Sequence, residues 1–105
     1  MQIGALRHRI TFQQPVQARN ERKEMITTWE DWKTVWASIM PEDGREFYRA
    51  KLENAEIHGL IGIRHLPGVE RTMRIKFGDR VFDIIWIRDR QERRRETRIA
   101  YKEAK

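Results

Sequence analysis

Three histidines are the residues of this sequence best suited to coordinating a metal ion. His8, His58 and His65 lie far apart along the chain, and the sequence contains no cysteine. Zinc sites draw on histidine and cysteine ligands at short, characteristic spacings, which are missing here. Because His8 continues one apolar alternation and His65 ends another, we interpret the histidines as structural residues. The sequence predicts no metal site and no other cofactor.

Two pairs of adjacent acids could act as general acid and base. Glu30–Asp31 and Glu42–Asp43 each lie where turns and helix caps commonly place carboxylates. The sequence shows no glycine-rich phosphate loop, no nucleophile elbow and no Ser/His/Asp order typical of hydrolases. We therefore predict that the protein is not an enzyme and that its role is binding or structural.

The most basic stretch is Arg88–Arg98, RDRQERRRETR, which holds six arginines and three acids in eleven positions. It could contact phosphate groups of a nucleic acid. It also lies between two segments with strand patterns, where charged residues solvate a turn and protect strand edges from unwanted pairing. A hairpin loop is the simpler interpretation, and phosphate contact remains the alternative.

Trp29, Trp32 and Trp36 are close together in the sequence, beside basic residues. Exposed rings on a basic sheet face can stack on single-stranded bases. Tryptophan is also enriched in protein interfaces and contributes large contact areas to small cores. Packing or a protein interface is the favoured interpretation of this cluster.

Length and composition predict one domain spanning residues 1–105, because independent domains usually need about 100 residues. The formal charge of +6 and the sequence pI of about 10.2 favour anionic partners without selecting one. The absence of cysteine fits a reducing cytoplasm. No run approaches the ~20 apolar residues of a membrane-spanning helix, so no membrane partner is expected.

Alternating apolar and polar residues predict β-strands over most of the chain. Leu6–Phe12 is the first such segment, and Pro15 is expected to end it. Gln17–Glu24 is the candidate linker, followed by two short strands at Met25–Trp29 and Lys33–Met40. Later strand and turn signals are Ile57–His65, the Leu66–Val69 turn, Met73–Phe77, the Gly78–Asp79 turn, Val81–Ile87 and Thr97–Tyr101.

One helix is predicted, from Asp43 to Asn54, with Asp43 and Glu46 at the spacing of a capping box. Its apolar positions recur at helical intervals at Tyr48, Leu52 and Ala55. The predicted fold class is mainly β: a small antiparallel barrel or sandwich of about six to eight short strands with one short helix.

Five segments in this order resemble the head-tail joining proteins of tailed bacteriophages and prophages, also called head-tail adaptor or head-closure proteins. They are GALRHRITFQQPV, TWEDWKTVWASIMP, GREFYRA, IRHLPGV and MRIKFGDRVFDIIWIRDRQERRRE, which together cover nearly the whole chain. One departure is QARNERKEM, which lacks the glycine expected in the first long turn.

The resemblance implies a structural β-barrel subunit that forms a ring homo-oligomer within the virion and can be a monomer when free. Portal or connector proteins and tail proteins would be its partners, with packaged DNA nearby. It would be located in the virion, and in the host bacterial cytoplasm during assembly. Whether it is a stopper that blocks the channel or a plain adaptor stays open, as does the alternative of a small basic nucleic-acid-binding barrel.

Two sets of contact residues are predicted. Aromatic residues for protein interfaces are Trp29, Trp32, Trp36, Phe47, Tyr48 and Trp86. Cations facing the DNA channel or phosphate groups are Arg19, Arg22, Lys23, Arg93, Arg94 and Arg95.

Overall fold

The computed structural model of the protein describes residues 7–40, 44–89 and 96–104. Six antiparallel strands form one closed barrel in the order β1-β2-β3-β6-β5-β4, with one short helix outside it. The predicted fold class is confirmed. The elements are β1 (His8–Arg19), β2 (Met25–Ile39), α1 (Arg45–Glu53), β3 (Gly59–Arg64), β4 (Arg74–Phe77), β5 (Arg80–Asp89) and β6 (Glu96–Ala104).

The barrel interior is filled by side chains that every strand contributes. At its centre Phe82 stacks on Tyr101 with ring centroids 4.1 Å apart, and both side chains are buried. The Tyr101 ring lies so close to Gly59 that a Cβ there would overlap it. This close approach explains a glycine inside a strand. The interior cluster is Ile10, Phe12, Ala37, Ile61, Ile63, Met73, Ile75, Phe82, Ile84, Ile99 and Tyr101.

Helix α1 covers part of the outer barrel surface and creates a second, smaller cluster. Phe47 and Ala50 of the helix pack with Leu60 of β3 and Ala100 of β6. The prediction that Tyr48 and Leu52 form the buried face was wrong, because both are exposed and the helix turns Phe47 and Ala50 inward. The capping box was also wrong: Gly44 is the N-cap, and the Glu46 carboxylate accepts a hydrogen bond from Arg98 instead.

Strands β1 and β2 form one long hairpin whose outer part extends beyond the barrel. β2 pairs with β3 only at Ala37–Ile39, and β1 pairs with β4 only at Thr11–Gln13. We call Gln14–Glu30 the ribbon, because here the two strands pair with each other and with no other described strand. The molecule accordingly measures 51 × 27 × 24 Å.

The ribbon corrects two predictions. Pro15 does not end β1, since a proline is tolerated on a strand whose outer edge is free. Met25–Trp29 and Lys33–Met40 are parts of one strand, β2, with a bulge opposite Phe12–Gln13 that accommodates the extra residue Trp32. The predicted Gln17–Glu24 linker is mostly the end of β1 and a tight turn.

The ribbon turn closes without glycine. The Asn20 side-chain oxygen accepts hydrogen bonds from the backbone N–H groups of Arg22 and Glu24, at 2.9 and 3.0 Å. Lys23 adopts the left-handed conformation, with φ of 63°. Asparagine caps turns in this way, so it supports a conformation that glycine would adopt without strain.

The two short turns predicted from glycine are confirmed. Gly68 has a φ of 95° at the second central position of the Pro67–Gly68 turn. Gly78 has a φ of 60°, and Phe77 pairs with Arg80 across the two-residue turn, as in a type II′ hairpin.

Strand β5 carries apolar residues on both faces because it separates the two clusters. A bulge between Ile84 and Trp86 shifts its alternation by one residue. Phe82 and Ile84 therefore lie in the barrel interior, whereas Ile85 and Trp86 pack against the helix-side cluster. Strict alternation would place Trp86 on the face of Phe82 and Ile84, but the bulge, which the sequence does not reveal, moves it to the other face.

Candidate docking surfaces

Trp36 is the exposed member of the tryptophan cluster. Its neighbours in β2, Val35 and Ala37, turn toward the barrel, so alternation directs the indole outward, where it is 51% exposed. The guanidinium carbon of Arg9, on the adjacent strand β1, lies 5.3 Å from the ring centroid. An exposed indole beside an arginine is typical of the centres of protein interfaces.

Trp29 and Trp32 form the base of the ribbon. The Arg74 guanidinium lies 4.4 Å from the Trp29 ring centroid, and Arg74 also donates to the side chain of Gln13. Trp32 packs edge-on against Phe12 and contacts the turn at Gly68. These two rings hold the ribbon on the barrel, and each is half-buried in the subunit.

The three predicted aromatic residues near α1 divide into two inner residues, Phe47 and Trp86, and one outer residue, Tyr48. Phe47 is buried beneath the helix, and Trp86 packs against the same cluster with the Arg88 guanidinium 3.9 Å from its ring centroid. Tyr48 and Leu52 are 64% and 70% exposed on the opposite side of the helix. Tyr48 and Leu52 thus form an outward apolar patch, of which the sequence prediction named only Tyr48.

A third apolar patch lies at the far end of the ribbon. Met25 and Ile26 are 58% and 39% exposed. The sequence analysis did not select them, although two large apolar residues directly after a charged turn are a signal of such a patch. The predicted phosphate-facing residues Arg19, Arg22 and Lys23 are exposed around the same turn.

Arg88–Arg98 connects β5 to β6, as the hairpin interpretation predicted, since Arg88 pairs with Arg98 across the two strands. Arg98 is 3% exposed, and its Nε donates a hydrogen bond of 2.7 Å to Glu46 of α1. Its Nη1 forms an ion pair with Glu96 Oε2 at 3.1 Å. Arg88 reaches Glu53 of α1 at 3.1 Å. Both arginines therefore fasten the helix to the barrel. Arg93, Arg94 and Arg95 lie outside the described residues.

Among the carboxyl groups of the described residues, Glu103 has a pKa that its surroundings lower. Arg80 donates two hydrogen bonds to Glu103, from Nε and Nη2, each 2.8 Å long. These bonds lower the pKa of the Glu103 carboxyl below its ordinary value, with smaller contributions from the charges of Arg80 and His58. The pair joins β5 to β6 at the surface.

The described part of the chain holds no group of three histidine or acidic side chains arranged to bind a metal ion. Within the same residues, no helix is long and apolar enough to cross a membrane.

Residues 1–104 match the phage head completion protein family. Protein SF1141 from Shigella flexneri 2a has a solution structure with a TM-score of 0.74 and 32% sequence identity, covering 99% of this chain and 97% of that chain. A chain from the virion of a native gene transfer agent particle has a TM-score of 0.62 at 18% identity, covering 94% and 96%. No curated protein matches the sequence.

Proposed function

We propose that this chain, which belongs to the phage head completion protein family, forms a ring that closes the DNA-filled head and joins the portal complex to the tail. Membership of this structural family makes it a virion component and not an enzyme, and it confirms the family suggested by the five sequence segments. The ring, its portal-side and tail-side contacts and its position between head and tail are the proposed part.

The ribbon is the observation that carries the proposal. It is a two-stranded hairpin outside the barrel, and such hairpins are marginally stable alone in water. Its outer edges leave backbone groups unpaired with any described strand, and its end exposes Met25 and Ile26. A feature of this kind gains stability when a neighbouring protein covers it.

A ring also needs two different faces on each subunit, because head-to-tail contacts join unlike surfaces. The exposed apolar residues occupy three separate places: the ribbon end, the outer side of α1 and the outer side of β2 around Trp36. Separate patches on one small domain support several simultaneous neighbours. The cations around the ribbon turn, Arg19, Arg22 and Lys23, are proposed to lie near packaged DNA, where phosphate attraction is independent of sequence.

The test is binding to purified DNA-filled capsids that carry the connector but lack this protein. We expect saturable binding at a fixed number of copies per capsid, measured by quantitative gel analysis after sedimentation. Capsids without a connector are the control and should bind none. Absence of binding to connector-bearing capsids would contradict the proposal, and so would binding that nuclease treatment removes completely.

A further inference from the structure

A groove lies between β2 and the chain at the end of β3, around the most exposed tryptophan of the protein. Val35, Trp36 and Leu66 provide its apolar lining, and Arg64 and His65 provide its polar lining. Its volume is about 530 Å³, enough for one or two side chains of a partner. Arg9 adds a second guanidinium above the indole ring.

Positive charge predominates around the groove. No carboxylate among the described residues lies within ion-pair distance of Arg9 or Arg64, and both side chains are solvent-exposed. His65 has one acidic neighbour, Asp89, at 3.4 Å. In contrast, Arg80, Arg88 and Arg98 each bond to a glutamate. Within the described residues, the groove therefore offers two guanidinium groups that no carboxylate neutralises, and such groups bind carboxylates strongly.

A second copy of this chain is a poor occupant. Its exposed Met25 and Ile26 follow the ribbon turn, in which three cations, Arg19, Arg22 and Lys23, outnumber the acids Glu21 and Glu24, so they would bring a net positive charge to the cations of the groove.

The exposed helix patch has the same difficulty. Arg45, Arg49 and Lys51 lie beside Tyr48 and Leu52 on α1, and the two glutamates of the helix, Glu46 and Glu53, are already paired with Arg98 and Arg88. Like charges brought together at an interface disfavour binding.

A nucleic acid is also disfavoured. Arg9 already covers one face of the Trp36 indole, and the other lining residues, Val35, Arg64, His65 and Leu66, add no tryptophan, tyrosine or phenylalanine ring. Base stacking needs accessible ring faces along a basic track.

We propose that this groove binds an acidic segment of a different virion protein. An apolar side chain of the segment packs on Val35, Trp36 and Leu66, and carboxylates on either side of it bond to Arg9 and Arg64. Tryptophan and arginine are the residues that most often dominate interface energetics, which suits this combination. The inference rests on the proposed function, because that function supplies the neighbouring virion proteins.

The experiment uses the full chain labelled with ¹⁵N and follows the indole N–H signal of Trp36, identified by its loss in Trp36→Phe. The probe is an acetylated pentapeptide with one leucine between two pairs of glutamates. We expect a saturable shift that weakens as salt rises. Arg9→Gln/Arg64→Gln should weaken binding about tenfold or more, since charge-assisted hydrogen bonds are lost. The control Arg19→Gln/Arg22→Gln removes equal charge from the ribbon and should leave binding unchanged.

Three results would overturn the inference. One is no shift of the Trp36 signal at millimolar peptide, or an equal shift with the glutamine version of the peptide. Another is tighter binding of a twelve-nucleotide single strand at the same signal. The third is a shift that follows protein concentration alone, which would identify a second copy as the occupant. Capsids are absent from this assay, so its failure leaves the proposed ring testable by capsid binding.

Discussion

Strand β1 passes through two regions that differ in what surrounds them. Ile10 and Phe12 are fully buried inside the barrel, whereas every residue from Gln14 to Arg19 is at least partly exposed in the ribbon. β2 changes in the same way, from the buried Ala37 to the exposed Met25. The backbone pairing is continuous across this boundary. Backbone hydrogen bonds between the two strands therefore hold the ribbon together. The stabilisation that comes from burying apolar side chains is found mainly in the barrel.

The sharpest test of this comparison is to truncate one apolar side chain to alanine in each region. Phe82→Ala should lower the free energy of unfolding by about 3–5 kcal/mol, because it removes the ring that stacks on Tyr101 and leaves a cavity. Val16→Ala in the ribbon should cost less than about 1 kcal/mol. Chemical denaturation measures both values. Similar losses for the two variants would contradict the separation of barrel and ribbon.

A smaller effect is expected from adding one methyl group inside the barrel. Gly59→Ala should cost about 1–3 kcal/mol in unfolding free energy, since the new Cβ overlaps the Tyr101 ring. Tyr101→Leu in the same chain removes the ring, so the further cost of the alanine should shrink in a double-mutant cycle. Additive losses would show that the Tyr101 ring is not the obstacle.

One substitution in the ribbon turn should stabilise the protein, in contrast to the barrel substitutions. Lys23→Gly places glycine at a φ of 63° and should raise the unfolding free energy by about 0.5–1 kcal/mol, because the strain of a left-handed side chain is relieved. Arg22→Gly is the control and should give no gain. Destabilisation by Lys23→Gly would mean that this lysine makes stabilising contacts in the turn.

The apolar end of the ribbon should matter for binding and hardly for folding. Met25→Ser/Ile26→Ser is expected to change the unfolding free energy by less than about 0.5 kcal/mol, since both side chains are solvent-exposed. The same variant should bind connector-bearing capsids more weakly than the wild type. If the variant binds capsids as tightly as the wild type does, Met25 and Ile26 are not among the contacts.

The smallest expected effect concerns pH and the barrel surface. A carboxyl whose pKa is lowered by folding contributes stability above its ordinary pKa, and this contribution is lost as pH falls through the folded pKa. Glu103 is such a group, held by Arg80. In Arg80→Gln, the midpoint of the Glu103 titration, followed by carbon-13 NMR, should rise toward the ordinary glutamate value. An unchanged midpoint would assign the shift to another cause.

Several strands could be predicted because alternation reports burial directly. Met73–Phe77 and Val81–Ile87 with the glycine turn between them became β4 and β5, since Gly78 determines the turn and apolar side chains determine the faces. The predicted extent of β1 failed at Pro15, because proline ends a strand only where its missing N–H would have been paired. Whether the backbone at position 15 has a neighbour on that side depends on how far β4 extends along β1, which the local sequence does not show.

Among the candidate contact residues, alternation separates Trp36 from the face of Val35 and Ala37, but it does not show which of the two faces is exposed. It could not separate Phe47 from Tyr48, because adjacent helical residues point about 100° apart and only docking decides which is covered. Nor could it show that Arg88 and Arg98 bond to glutamates of α1, since these partners lie 35 and 52 residues away in the sequence.

The sequence by itself determined a mainly β domain with glycine turns, one helix and a basic surface, because periodicity, turn chemistry and charge are local properties. Tertiary structure alone decided where the barrel closes, that β1 and β2 continue beyond it, and which cations keep a free guanidinium. Those outcomes depend on contacts between distant residues: Arg98 is neutralised by Glu46, whereas no described carboxylate reaches Arg9. Long-range pairing therefore determines which parts of this surface are available to partners.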